Sequence, residues 1–175
     1  LKPWLMYALF GAELLIILTS RLWSQRSPLN KIMFALFAFI TGMTVAPLIA
    51  VVAASYGGVM IIMKALLATI LTFTAAAIFG WTTHFNLSGM RGFLVIGLIG
   101  LIITGVLGFL FPWGNTMELV YSGGGVLLFT GFIMYDFQRL KKFPENMYID
   151  AALSLYLDIF NLFLFMLRLM LASRD

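Results

Sequence analysis

The run DAALSLYLDIFNLFLFMLRLM, residues 150–170, is long and apolar enough to cross a lipid bilayer, yet it carries strongly polar side chains. A hydrocarbon core about 30 Å thick needs about 20 helical residues to cross it. On a helix with 3.6 residues per turn, the polar side chains all fall within a sector about 80° wide. They are Asp150, Ser154, Asp158, Asn161 and Arg168. Because ionisable groups are costly in lipid, this polar stripe predicts a central helix that faces protein or water.

The composition extends this interpretation to the whole chain. Of its 175 residues, 62% are hydrophobic and 10% are charged, whereas about a quarter of a soluble domain is charged. Apolar runs long enough to span a bilayer lie at about residues 4–22, 31–53, 58–81, 92–111, 117–137 and 147–171. We therefore predict an all-α polytopic membrane protein, a helix bundle of six spans that forms a single domain over residues 1–175.

The connections between these runs alternate in charge. Those that follow the first, third and fifth runs contain the basic residues Arg21, Arg26, Lys31, Arg91, Arg139, Lys141 and Lys142. The other two, SYGG at 55–58 and PWGN at 112–115, contain none. The positive-inside rule places the basic connections in the cytoplasm and both ends of the chain outside. A missing helix before Leu1 would return the N-terminus to the cytoplasm and make seven spans.

The same topology accounts for the net charge of +4, so we expect no nucleic-acid partner. The chain has no cysteine and one histidine, His84, which excludes a thiolate site, a disulfide and a multi-histidine metal site. We expect no tightly bound cofactor, the lipid bilayer as the main partner, and a monomer.

Depth in the membrane limits which ionisable groups can meet. Asp158 lies roughly 12–16 Å from the cytoplasmic edge and Glu13 roughly 12 Å, whereas Asp136 is shallower, at the end of the fifth span. Depth favours Glu13 as the neighbour of Asp158, but Asp136 reaches it if its helix enters obliquely. Two adjacent carboxyls in a low dielectric cannot easily both ionise, so they share a proton. Such a pair predicts a pH-sensitive switch, in which the shared proton holds two helices together and its loss drives them apart. Glu118 lies at the start of the fifth span, where a negative charge suits the helix dipole, and we expect its role to be structural.

Several motifs carry a resemblance to a known family. MYDFQRLKK, residues 134–142, followed by the run at 150–170, closely resembles the last two helices of the transmembrane Bax inhibitor motif family. The matching features are the pair Tyr135-Asp136, the run from Leu155 to Phe163, and Arg168 ten residues after Asp158. FAFITGMTVAPL at 37–48 is similar to the family's proline-containing helix, and HFNLSGM at 84–90 to its Leu-Ser loop.

The resemblance covers essentially the whole chain and implies seven helices, six of them around a central last one. It also implies a pH-sensitive calcium leak channel and not an enzyme, with Asp136 and Asp158 as the proton-sharing gate and as transient Ca²⁺ ligands. Calcium suits oxygen ligands. We expect a bacterial plasma (inner) membrane, or otherwise an intracellular one. The supporting polar network is expected to comprise Glu13, Arg168, Asn161, Ser154 and Arg21, with Glu13 as a partner for Arg168 and Arg21 in the region of a basic latch.

Two other functions remain open from the residues. An intramembrane aspartyl protease also uses two aspartates on neighbouring helices, the first in a Tyr-Asp pair. Its second aspartate belongs to a Gly-x-Gly-Asp motif, whereas Asp158 follows Leu-Tyr-Leu. The other is a protein that regulates membrane partners without transporting anything.

Overall fold

The residues that the computed structural model describes, 2–55 and 57–174, form helices joined by short connections. The α-helices are α1 Pro3–Leu18, α2 Ser20–Trp23, α3 Leu29–Ala54, α4 Gly58–Thr82, α5 Met90–Leu110, α6 Asn115–Leu140 and α7 Tyr148–Ala172. Short 3-10 helices precede α5 and α7, at Leu87–Gly89 and Glu145–Met147. These ranges contain no β-strand, so the predicted all-α class is confirmed. Leu1 and Tyr56, used above for the chain start and the SYGG connection, lie outside them.

Five of the described helical segments are long and apolar enough to cross a membrane: Leu29–Ala54, Gly58–Thr82, Leu87–Leu110, Asn115–Leu140 and Glu145–Ala172. The first predicted span, residues 4–22, is not among these five segments. There α1 is a shorter apolar helix of 16 residues, and α2 follows it after Thr19. Thr19 leaves helical geometry, with φ −91° and ψ 3°, and its hydroxyl donates to the carbonyl of Leu15 at 2.6 Å. The fold is that of a multi-pass integral membrane protein.

Two compact units make up the chain. The first comprises the chain up to Val59 together with Phe143–Leu153, and the second comprises Met60–Lys142 together with the residues from Ser154 onwards. In the first unit α1 packs against α3. The buried indole of Trp23 donates to the carbonyl of Ile16 at 3.2 Å. Asn30, also buried, donates to the carbonyl of Ser24 at 3.1 Å and to the Tyr148 hydroxyl at 3.2 Å.

The second unit contains α4, α5, α6 and most of α7. Its core is a cluster of buried apolar side chains from α4, α6 and α7: Ala76, Phe129, Ile133 and Leu162. Gln138 of α6 fixes the connection between α4 and α5. Its Oε1 accepts from the backbone N–H of Leu87 at 2.8 Å, and its Nε2 donates to the carbonyl of Phe85 at 2.6 Å. Through these bonds the end of α6 is tied to the start of α5, close to Asp136.

Helix α7 is shielded along its length. Between residues 151 and 172 every side chain is buried or half-buried except Arg168. By contrast α5 is the most apolar of the five long segments and the least buried. Lipid therefore has access to α5, whereas α7 is buried to the same extent as α3 and α4 and to a lesser extent than α6.

Candidate functional site

Asp136 and Asp158 form a buried carboxyl pair within the second unit. Asp136 lies near the C-terminal end of α6 and is 8% exposed, and Asp158 lies in the middle of α7 and is 5% exposed. Their side chains are within hydrogen-bonding reach of each other. An ionised carboxylate can only accept, so a hydrogen bond between two carboxyls needs a proton on one of them. Of the two neighbours considered for Asp158, Asp136 is the one that the structure places against it.

The two aspartates differ in their other contacts. The Ser154 hydroxyl, one turn before Asp158 on α7, donates to Oδ2 of Asp136. The guanidinium groups of Arg139 and Arg91 are close enough to interact electrostatically with Asp136. Asp158 has no such support: its Oδ2 is buried and accepts no hydrogen bond from the described residues. Because an unpaired buried carboxylate is costly, the neighbouring Asp136 carboxyl is the group available to share a proton with Asp158.

The contact between Ser154 and Asp136 gives a first prediction. Ser154→Ala removes a hydroxyl donor from a buried carboxyl, so we expect a loss of about 1–2 kcal/mol in the free energy of unfolding, measured by denaturant titration in detergent. The control is Ser173→Ala, because the exposed Ser173 hydroxyl donates only to the carbonyl of Met170 in its own helix. Equal stability of the two variants would mean that the Ser154 contact contributes nothing.

Glu13 and Arg21 lie in the first unit. The Thr44 hydroxyl of α3 donates to Oε1 of Glu13 at 2.8 Å and to the carbonyl of Thr41 at 2.9 Å. This bond joins α1 to α3 inside the apolar region, and it gives the half-buried Glu13 a neutral partner. Arg21 lies on α2 with its side chain exposed.

Arg168 has a different partner from the one expected. Glu13 was the expected partner, but the Arg168 guanidinium donates through Nε to Oε1 of Glu118 and through Nη2 to Oε2 at 3.0 Å. Glu118 is the acidic residue in the first turn of α6, and it does more there than complement the helix dipole. The alternating topology could have predicted this ion pair, since it places the start of α6 and the end of α7 at the same edge of the membrane.

Asn161, the remaining residue of the predicted network, lies one turn beyond Asp158. Its Nδ2 donates to the carbonyl of Leu157 at 2.7 Å. A cavity of about 220 Å³ is lined by Asn161, Leu164, Phe165 and Arg168. The polar stripe of α7 therefore borders the carboxyl pair at one level and a cavity at the next.

The chain is similar in sequence to members of a known family. A family model described as "Inhibitor of apoptosis-promoting Bax1" matches residues 1–175. "Bax inhibitor 1" of Schizosaccharomyces pombe is 28% identical over 100% of this chain and 65% of its own length. "BI1-like protein" of Arabidopsis thaliana is 32% identical over 97% of this chain and 66% of its own length. "Inner membrane protein YbhL" of Escherichia coli is 30% identical over 89% of this chain and 69% of its own length. The chain thus spans about two thirds of the length of these relatives.

Proposed function

The chain belongs to the family described as inhibitor of apoptosis-promoting Bax1, and from that premise we propose that it is a pH-sensitive calcium leak channel gated by Asp136 and Asp158. The observation that carries this proposal is the buried carboxyl pair, in which α6 and α7 bring two carboxyl groups within reach of a hydrogen bond that would need one proton. A purely structural contact between two membrane helices would be served as well by a pair of neutral amides. Two carboxyls add a dependence on proton concentration.

The gate works through the charge of the pair. While the proton is shared, one negative charge is present and the hydrogen bond holds α6 to α7. When the proton leaves, two negative charges lie side by side in a low dielectric, where their repulsion is strong. Arg91 and Arg139 offset part of the charge on Asp136 only, so the repulsion is relieved by separation of the two helices. Calcium passage should therefore rise as pH rises through the range in which the pair loses its proton.

Calcium is the substrate of this proposal and not a resident metal. Among the described residues, no three acidic, histidine or cysteine side chains are grouped as metal ligands. Two carboxylates, once separated, offer a Ca²⁺ ion oxygen ligands without the six to eight that a tight site uses. This arrangement suits weak, transient binding during passage. The chain then acts as a monomeric channel without a cofactor or catalytic activity, with calcium ions, protons and lipid as its partners.

The proposed location is the plasma membrane of a bacterium, or otherwise an intracellular membrane. Support comes from the Escherichia coli relative, whose name places that protein in the inner membrane. Because the chain spans about two thirds of the length of its relatives, the activity of the whole protein is part of this proposal.

The direct test is calcium uptake by lipid vesicles that contain the purified protein. Uptake is followed with a calcium-sensitive dye trapped inside, with the same pH on both sides of the membrane. We expect entry above that of protein-free vesicles, and faster at about pH 8 than at about pH 5. Entry no faster than in protein-free vesicles at any pH would refute the channel.

A second candidate function is regulation of membrane partners without transport. The observation in its favour is the name of the Schizosaccharomyces pombe relative, Bax inhibitor 1. Vesicles that contain folded protein but take up no calcium would favour it. Cleavage of a membrane peptide, lost in Asp136→Asn and Asp158→Asn, would instead indicate an intramembrane aspartyl protease.

A further inference from the structure

A second charged cluster lies at the other end of α6 from Asp136. Glu118 and Asp136 are eighteen residues apart on this helix, which corresponds to about 27 Å along its axis. The Glu118 carboxylate receives both donors of the Arg168 fork, and the Trp113 indole N–H donates to its Oε2 at 2.9 Å. Tyr121 supports the cluster from the side: the Arg168 guanidinium lies 4.7 Å from the centre of its ring.

The charged groups of the cluster are partly exposed. The Arg168 side chain is 45% exposed and that of Glu118 is 23% exposed. Tyr121 is itself fixed, because its hydroxyl donates to the carbonyl of Leu101 at 3.2 Å and its ring lies 5.4 Å from that of Phe165. Planar stacking and a two-point carboxylate contact are the interactions for which arginine is suited and lysine is not. The position of the Arg168 charge is therefore set by Glu118 and Tyr121.

A cavity lies beside this cluster and is bordered by the Arg168 side chain. It is lined by Arg168 at one level and by Asn161 at another, with Leu164 and Phe165 between them. Asn161 comes three residues after Asp158 and lies on the same polar face of α7. An amide oxygen is a common calcium ligand. A cation that enters beside Arg168 would thus meet an amide and then the carboxyl pair.

We propose that the Glu118–Arg168 pair is the outer electrostatic gate of the calcium pathway, with the cavity at Asn161 as its vestibule. This inference rests on the proposed channel function. An uncompensated arginine at the mouth repels a divalent cation, whereas an uncompensated glutamate attracts it, and charges at a cleft change the rate of entry strongly. By pairing, the two residues keep the net charge of the mouth near zero, and they set the rate at which calcium arrives at Asp158.

The test compares the wild-type protein with two single charge variants and the double variant. The quantity measured is the initial rate of calcium uptake at about pH 8 and low salt. Glu118→Gln leaves Arg168 uncompensated and should slow entry about tenfold, whereas Arg168→Gln should speed it by a similar factor. The double variant, neutral like the original pair, should return to within about twofold of the wild-type rate. High salt should shrink both single effects, and uptake of K⁺ should change less than that of Ca²⁺ because its charge is half as large.

Three comparisons keep the test decisive. Lys64→Gln removes one positive charge from α4 and should leave the rate unchanged. If both neutral single variants slow uptake in parallel with lost stability, the pair is structural and the gate is refuted. A wild-type protein that takes up no calcium would refute the channel itself, and the gate with it.

Discussion

Asp158→Asn should take up calcium at the same rate at about pH 5 and about pH 8. Asparagine has nearly the shape of aspartic acid but does not ionise, so the variant has no proton to share. Its amide N–H can still donate to the Asp136 carboxylate, which keeps α6 and α7 joined at every pH. We therefore expect uptake to stay near the low rate of the wild-type protein in acid, and the wild-type rise towards alkaline pH to be absent.

The matched control for this variant is Glu145→Gln. It makes the same chemical change, carboxyl to amide, at an exposed residue just before α7. The pH response of Glu145→Gln should equal that of the wild-type protein. If Asp158→Asn and Glu145→Gln both keep the full response, then the buried pair does not sense pH.

Gly80→Ala should be the most destabilising single-methyl change in the second unit. Gly80 lies near the end of α4, against the backbone of Met134 on α6. A Cβ at residue 80 would overlap with the Met134 carbonyl oxygen and would lie 2.9 Å from both the carbonyl carbon and Cα of Met134. Backbone atoms cannot rotate away as a side chain does, so the two helices must shift. Such overpacking typically costs about 1–3 kcal/mol, and more where the backbone cannot yield.

The shift should also affect the gate, because Met134 comes two residues before Asp136. We expect Gly80→Ala to unfold at a lower temperature in detergent and to show a weaker pH response of calcium uptake. Gly100→Ala is the control, since a Cβ at residue 100 has no atom within 4 Å. Alanine at residue 100 should leave the free energy of unfolding unchanged or raise it by about 0.5–1 kcal/mol, as in an ordinary helix interior. Equal melting temperatures for the two variants would contradict the close approach of α4 and α6.

Hydropathy predicted most of the helices because a bilayer imposes one length on every apolar run. Helices α3, α4 and α7 begin and end within about two residues of their predicted ends. The first predicted span failed for a local reason. The apolar run is divided at Thr19, which has non-helical backbone angles between α1 and α2, and an average of hydrophobicity over a window does not register a break at one residue.

The partners of the charged residues were harder to predict. Helical periodicity placed Asp158 and Arg168 on one face of α7, because 3.6 residues per turn fixes that face whatever surrounds it. Depth alone then favoured Glu13 for Asp158, since distance along the membrane normal says nothing about which helices are neighbours. The family resemblance pointed to Asp136, and the carboxyls of Asp136 and Asp158 do lie within hydrogen-bonding reach. For Arg168 we expected Glu13, and its partner within the second unit is Glu118, which had been treated as a helix-end charge and not as an ion-pair partner.

The central claim is that Asp136 and Asp158 share the proton that controls calcium passage. The measurement that tests it most directly is calcium uptake between about pH 5 and pH 8 in vesicles that contain the wild-type protein, Asp136→Asn or Asp158→Asn at matched density. We predict a rate that rises with pH for the wild-type protein and a flat profile for both variants. An identical pH response in all three proteins would contradict the claim.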